Sequence, residues 1–178
     1  KDELLANLKQ VVTNTYGEDV SQNLDFPHVV SEKHFDRLNS FLTNGDIVFG
    51  GKTDRSRLFI EPTVLDNISW EDNVMQDEIF GPILPVIVYD EISEVIEAIV
   101  KRPKPLALYL FSEDEAVQDR ILNSVSFGGG SINDTINHMT SHYLPFGGVG
   151  DSGMGAYHGK ASFDTFSHAK SILKRSNK

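Results

Sequence analysis

The amino-acid sequence predicts a doubly wound α/β fold, a mainly parallel sheet covered on both faces by helices to make three layers. Three observations carry that expectation. Val86-Ile87-Val88 and Leu106 to Phe111 are nearly unbroken apolar runs, the pattern of strands buried on both sides. Each is followed by a segment of helical period, so strand and helix alternate twice. A third short run at Ser131-Ile132-Asn133 follows Gly128 to Gly130, and parallel neighbours need crossovers of this length.

Taken in order, Leu4, Leu5, Leu8, Val11 and Val12 recur at helical spacing, and Gly17 is placed to end that helix as a left-handed cap. Beyond Pro27, Ser31 stands as N-cap of a second helix whose Phe35, Leu38 and Leu42 share a face and which Asn44-Gly45 closes. Ile47-Val48-Phe49 reads as a short strand, and Gly50-Gly51 turns the chain into an extended run, Leu58 to Leu65, interrupted by Pro62. Trp70 to Gln76 is ambiguous. After the Val86–Val88 strand, Ile92, Val95, Ile96, Ile99 and Val100 mark one helix face, which Pro103 and Pro105 end. Ser112-x-x-Glu115 is a capping box for the helix that runs through Leu122. No repeat, linker or low-complexity segment breaks the chain.

Composition narrows the partners. With 178 residues and 39% hydrophobic content the chain can bury a core, and 16 basic against 26 acidic residues give a net charge of −10, which argues against a nucleic-acid partner. The sequence holds no cysteine, so it offers neither disulfides nor a thiol nucleophile. No apolar run approaches the roughly 18 residues of a membrane helix and the start lacks a signal-peptide segment, so a cytoplasmic protein with no visible membrane anchor is expected. Lys1-Asp2-Glu3-Leu4 spells an ER-retention signal, which is read only at a C-terminus.

Four stretches invite a chemical reading. Met75 to Pro85 runs Gln76, Asp77 and Glu78 into Ile79-Phe80-Gly81-Pro82, where Pro82 lacks a donor and disfavours helix at Gly81. The result is a stiff loop: either Asp77 and Glu78 are solvated turn residues, or the loop holds a carboxylate and an aromatic ring in fixed relation. Gly148-x-Gly150-x-x-Gly153 spells a dinucleotide fingerprint, which requires a strand before it and a helix after it. Gly150-Asp-Ser-Gly153 matches a serine-protease nucleophile loop, in a chain of the wrong fold class for that enzyme; the plainer reading gives these glycines to a tightly packed loop. His138 and His142 have metal-ligand spacing on a helix without a carboxylate between them, and packing roles are expected instead.

Three blocks in order, Val74 to Pro85, Lys104 to Ser112 and Leu144 to Lys160, resemble the aldehyde dehydrogenase superfamily. Tyr157-His-Gly-Lys160 and Ser162-Phe-Asp-Thr-Phe-Ser-His168 are most similar to its class-three branch, which oxidises fatty and aromatic aldehydes. The resemblance implies the C-terminal part of an NAD(P)-dependent enzyme, with the fold incomplete at its N-terminus. In the family a cysteine attacks the aldehyde, hydride passes to nicotinamide and a glutamate activates water to release the acid. That cysteine, the glutamate, an oxyanion-hole asparagine and the dinucleotide-binding domain precede the matched segment, so no catalytic residue is expected within it. By resemblance Glu78 receives the hydroxyls of the nicotinamide ribose and Phe80 packs beside the nicotinamide end, whether the cofactor is NAD or NADP. Ile136, Met139, Thr140, Phe146 and His158 match the substrate tunnel, although Phe146 packing under the glycines and His158 capping a carbonyl remain open. Residues 1–168 correspond to a catalytic-domain portion and 169–178 to a strand and tail that bridge to a neighbouring subunit, which implies a homodimer in the full-length form. The expected partners are an aldehyde and the N-terminal cofactor-binding part of the same protein. The alternative is a truncated, non-catalytic homologue that serves as a binding or assembly module.

Overall fold

A computed structural model of the chain describes residues 1–177. They form two compact units, Lys1–Val88 and a second that begins at Tyr89.

The first unit is centred on helix α2 (Glu32–Phe41), which follows α1 (Asp2–Tyr16). The Ser31 side chain accepts the His34 backbone N–H at 3.3 Å, the N-cap expected from the sequence. Phe35, Leu38 and Phe41 are buried while Leu42, at the C-cap, is only partly so; the inner stripe is therefore one residue earlier at its end than the Phe35-Leu38-Leu42 pattern suggests. Helix α1 ends at Gly17 as expected, but with φ 90° and ψ 175°, an extended exit rather than a left-handed turn.

Against α2 lies a three-stranded sheet of β1 (Asp46–Phe49), β4 (Thr63–Asp66) and β5 (Ile83–Pro85), in the order β1-β4-β5. The β1 and β4 strands are antiparallel with Ile47 opposite Leu65, whereas β4 and β5 are parallel with Val64 opposite Leu84. A small hairpin, β2 (Thr53–Asp54) with β3 (Phe59–Ile60), precedes β4, and Pro62 separates β3 from β4 as the sequence suggested. Arg55 ties this hairpin to α2: its guanidinium bonds both Asp36 oxygens, at 2.9 and 3.0 Å, and Glu32 at 2.9 Å. Phe35, Leu38, Phe41, Ile60, Leu65, Ile68, Val74 and Ile83 make the core. Thr63 is the buried polar residue there, and its hydroxyl is satisfied, accepting from Gly51 N–H at 2.9 Å and donating to Glu61 O at 2.7 Å.

The strand expected at Val86–Val88 forms three residues earlier. Pairing with β4 sets this limit: the Val86 N–H donates to Leu65 O at 2.8 Å, and then β4 ends, Asn67 turning away with φ 54°. Beyond that point the chain has no ladder to join.

In the second unit α3 (Ile92–Val100), β6 (Ala107–Leu110), α4 (Glu115–Ser124) and β7 (Gly129–Ile132) alternate as predicted, and β6 and β7 are parallel with Tyr109 opposite Ser131. The cap of α4 is Asp114 rather than a Ser112–Glu115 box: its carboxylate accepts from Ala116 and Val117 N–H at 2.8 and 3.4 Å, while the Ser112 hydroxyl accepts from Asp114 N–H at 3.1 Å. A carboxylate next to the helix start displaces a hydroxyl two residues further out because its oxygen reaches both free donors. A short helix, α5 (Gly159–Thr165), follows, and residues 169–177 carry no regular secondary structure and are exposed. Lys178, the last residue of the expected bridging tail, lies outside the described residues. The chain is thus α/β with two parallel strand pairs, the first sheet being mixed rather than parallel throughout.

Leu38 is fully buried at the centre of the first core, so Leu38→Ala is expected to cost about 2–5 kcal/mol through lost burial and the cavity left behind. Urea unfolding of the wild-type and variant chains measures it.

Candidate functional site

The predicted site residues fall into two groups, one in each unit. Glu78 and Phe80 belong to the first. A 3-10 turn at Asn73–Met75 is anchored by Val74, which is buried and whose N–H donates to Asn44 Oδ1 at 3.0 Å. The Gln76 amide fastens the next step, donating to Trp70 O at 3.0 Å and Asp72 O at 3.2 Å. The chain then leaves regular structure between Gln76 and β5, where Ile79 packs on the core and Phe80 turns outward.

Phe80 has φ 51°, a left-handed conformation that an aromatic residue adopts only under constraint, and the residue is 73% exposed. Gly81 sits directly on Leu38: a Cβ there would lie 2.5 Å from Leu38 Cδ1 and 2.8 Å from Cδ2. That approach explains glycine at 81 by contact with the core as well as by the proline after it. Pro82 O then accepts Thr63 N–H at 2.8 Å, joining the loop to the sheet.

Three successive carbonyls of this loop are bonded by side chains of α2. Arg37 Nη2 donates to Glu78 O at 3.2 Å and, more closely, to Ile79 O. His34 Nε2 lies 2.7 Å from Phe80 O; a carbonyl only accepts, so the proton is on Nε2. The Glu78 side chain is exposed and has no hydrogen-bond or ion-pair partner among the described residues. An apolar cleft of about 380 Å³ borders the same loop, walled by Phe80, Pro82, Phe26, Val29, Val30 and His34.

In the second unit, the segment after β7 is held by Asp134. The Asn137 side-chain amide donates to both Asp134 carboxylate oxygens, at 3.1 and 2.9 Å, and Thr135 N–H donates at 2.7 Å. These donors, Asn137 first, hold the Asp134 carboxyl below the usual carboxylate range. Ile136 (φ 62°), at the N-cap of the 3-10 turn Asn137–Met139 that follows, and Met139 within it are exposed, and the Thr140 hydroxyl donates back to Asn137 O at 2.9 Å.

Phe146 and His158 come together. A two-residue bridge closes between Phe146 and Tyr157, each N–H bonding the other's carbonyl at 2.9 and 3.0 Å, and the Phe146 and His158 rings stack with centroids 6.0 Å apart. The Tyr157 ring meets His158 edge-on at 4.4 Å. His138 links this pair to the turn and the sheet, its ring 5.9 Å from Phe146 and 5.7 Å from Tyr109 of β6. His138 and His142 therefore do not converge as metal ligands: the first packs on Phe146 and Tyr109, and the second faces His158 at 6.4 Å. Both ring nitrogens of His138 are buried without a hydrogen-bond partner among the described residues.

The glycine-rich strings resolve as tight packing. A Cβ at Gly148 would stand 2.1 Å from Ser152 O, so the loop closes only around glycine. The Ser152 hydroxyl donates to Val149 O at 3.0 Å and accepts Val149 N–H at 2.9 Å, which occupies it locally with no imidazole bonded to it. After Gly148 comes only a three-residue 3-10 turn, Gly150–Ser152, which offers no helix N-terminus for a pyrophosphate.

The aldehyde dehydrogenase family model matches residues 1–172. The chain belongs to the aldehyde dehydrogenase family. It is 46% identical to aldehyde dehydrogenase family 3 member A2 of Rattus norvegicus over 97% of its length and 36% of that relative. It is 43% identical to the dimeric NADP-preferring aldehyde dehydrogenase of the same species, over 99% of its length and 39% of the relative. Among solved structures, the substrate-bound state of Staphylococcus aureus AldH superposes with a TM-score of 0.91 at 49% identity, covering 99% of this chain and 40% of the other. The chain thus spans less than two fifths of the length of the curated relatives it matches. The class-three resemblance read from residues 157–168 agrees with the family 3 relatives.

Arg37, His34 and Asp134 were not singled out as site residues by the sequence. For the first two a signal exists, since His34, Arg37, Leu38 and Phe41 recur at i, i+3, i+4 and i+7 on one helix face. A polar pair interleaved in an apolar stripe marks a face that meets backbone as well as core.

The turn at 134–140 carries a pH dependence. Because the Asp134 carboxyl is lowered on folding, its support is fully present above the ordinary carboxylate value near about 4 and is lost as pH falls through the lowered one. The Thr135 amide is expected to lose exchange protection on that descent in the wild type, and Asp134→Ala should exchange fast at every pH, as measured by amide exchange NMR.

Proposed function

We propose that this chain is the C-terminal part of an NAD(P)-dependent aldehyde dehydrogenase that oxidises aldehydes to carboxylic acids through a cysteine thioester, with the nucleophile outside these residues. The absence of cysteine from a chain that spans under two fifths of its relatives supports this division of labour. The observation that carries the reading is Glu78: an unpartnered, exposed carboxylate on a loop whose backbone is bonded to a helix and sealed to the core.

The residues suit the cofactor chemically. A carboxylate accepts two hydroxyl protons at once, as a ribose diol offers them, and an exposed aromatic ring beside it gives a flat apolar surface for the base. NAD(P), when bound, accepts hydride from the aldehyde carbon. Glu78 orients the ribose, and Phe80 shields the ring end; neither breaks a bond. On the substrate side, Ile136, Met139 and Phe146 provide an apolar wall that favours fatty or aromatic aldehydes over small hydrated ones, with Thr140 and His158 at its edge. Residues 169–178 serve a partner subunit in a homodimer, as an added strand for which the described residues 169–177 have no partner within this chain. An assembly module without chemistry is the rival reading; a continuous upstream reading frame with a cysteine shortly before Lys1 would decide against it, and a start codon at or near Lys1 would favour it.

In the full-length enzyme Glu78→Gln is expected to lower kcat/KM for NAD(P) roughly ten- to a hundredfold, the range for losing charge-assisted hydrogen bonds, with thermal stability unchanged. Steady-state kinetics at varied cofactor checks it, and unaltered cofactor dependence would sink the role of Glu78. The isolated 178-residue chain, given aldehyde and NAD or NADP, should form no reduced nucleotide by absorbance.

A further inference from the structure

The carbonyls of Glu78, Ile79 and Phe80 belong to no helix or strand, yet all three are bonded to one face of α2. Arg37 supplies a planar guanidinium from which a single nitrogen reaches two adjacent carbonyls, and His34, one turn earlier, takes the third. Arg37 is itself held, its guanidinium carbon 5.1 Å from the centre of the Phe41 ring and its backbone fixed by the Ser31-capped helix. Leu38, between them on the same face, supports Gly81 from below. The left-handed φ of Phe80 occurs where the loop is gripped from both sides.

Among the described residues the remaining hydrogen bonds of the loop lie at its ends, at Gln76 before it and Pro82 after it, while Ile79 packs on the core. The position of the Glu78 carboxylate therefore depends on the α2 side chains. Misplacement of a binding group by about 1 Å is enough to cost up to a hundredfold in rate.

We infer that Arg37 and His34 are positioning residues for the cofactor-binding carboxylate, Arg37 being the main one because it holds the carbonyl of Glu78 itself. The inference rests on the role proposed above for Glu78. Both side chains bond loop carbonyls, so they act on Glu78 through its backbone.

The test uses the full-length enzyme with Arg37→Met, which keeps an unbranched stem and removes every donor, Arg37→Lys, Glu78→Gln and the double variant Arg37→Met with Glu78→Gln. Amide exchange by mass spectrometry reads the loop, and steady-state kinetics reads cofactor and aldehyde separately. Arg37→Met is expected to speed exchange at residues 79–83 about tenfold or more and to raise KM for NAD(P) about tenfold, with KM for aldehyde within about twofold. Lysine, which offers one flexible donor group in place of a fork, should rescue part of the loss. The double variant should be little worse than Glu78→Gln alone, since both changes remove one function.

Unchanged exchange in Arg37→Met overturns the clamp, and so does additive behaviour in the double variant or an equal rise in both KM values. A silent Arg37→Met beside an impaired Glu78→Gln overturns the inference alone. A silent Glu78→Gln removes the reading beneath it, and the positioning role falls with it.

Discussion

Backbone carbonyls that leave regular structure next to a core must still be hydrogen-bonded, and that requirement shapes the first unit of this chain. Between Gln76 and β5 the backbone follows neither helix nor ladder, because Pro82 has no N–H and Gly81 is pressed onto Leu38. Donors must come from elsewhere, and α2 provides them through Arg37 and His34. The same helix buries Phe35, Leu38 and Phe41 in the core. Core packing and loop geometry are in this way joined in one element, so disturbance of α2 reaches the carboxylate that the loop presents.

The second unit organises its candidate residues by a different physics. Phe146, Tyr157, His158 and His138 meet as rings, through stacked and edge-on contacts, with a single two-residue bridge to set the spacing. Aromatic pairs of this kind are worth about 0.5–1.5 kcal/mol each beyond burial, and they fix the rings relative to one another. The neighbouring turn is instead set by charge-assisted bonds to Asp134. An aromatic cluster beside a hydrogen-bonded turn is consistent with the substrate-side role proposed for this segment.

Much of the fold was legible because its signals are local. The Ser31 cap, the Ile92–Val100 helix and the parallel β6–β7 pair follow from side-chain period and capping chemistry within a few residues. The non-helical course of residues 78–82 was legible from Gly81-Pro82 as well. Two local readings failed where a neighbour competed: Asp114 displaced Ser112 at the start of α4, and the strand expected at 86–88 formed earlier because its partner β4 runs out at Asp66. The packing role expected for His138 is met by Tyr109 and Phe146, partners that its spacing with His142 does not reveal.

By itself the sequence determined residue types and family: the carboxylate and ring at 78 and 80, the apolar positions at 136, 139 and 146, and three blocks that place the chain among aldehyde dehydrogenases. Tertiary structure alone decided which groups hold those residues still. The carbonyls of Glu78 to Phe80 find their donors 41 to 46 residues away in sequence, a distance over which no local preference acts. The left-handed φ of Phe80 has the same origin, since an aromatic residue accepts that conformation only when contacts on both sides of the loop outweigh its cost of about 1–3 kcal/mol.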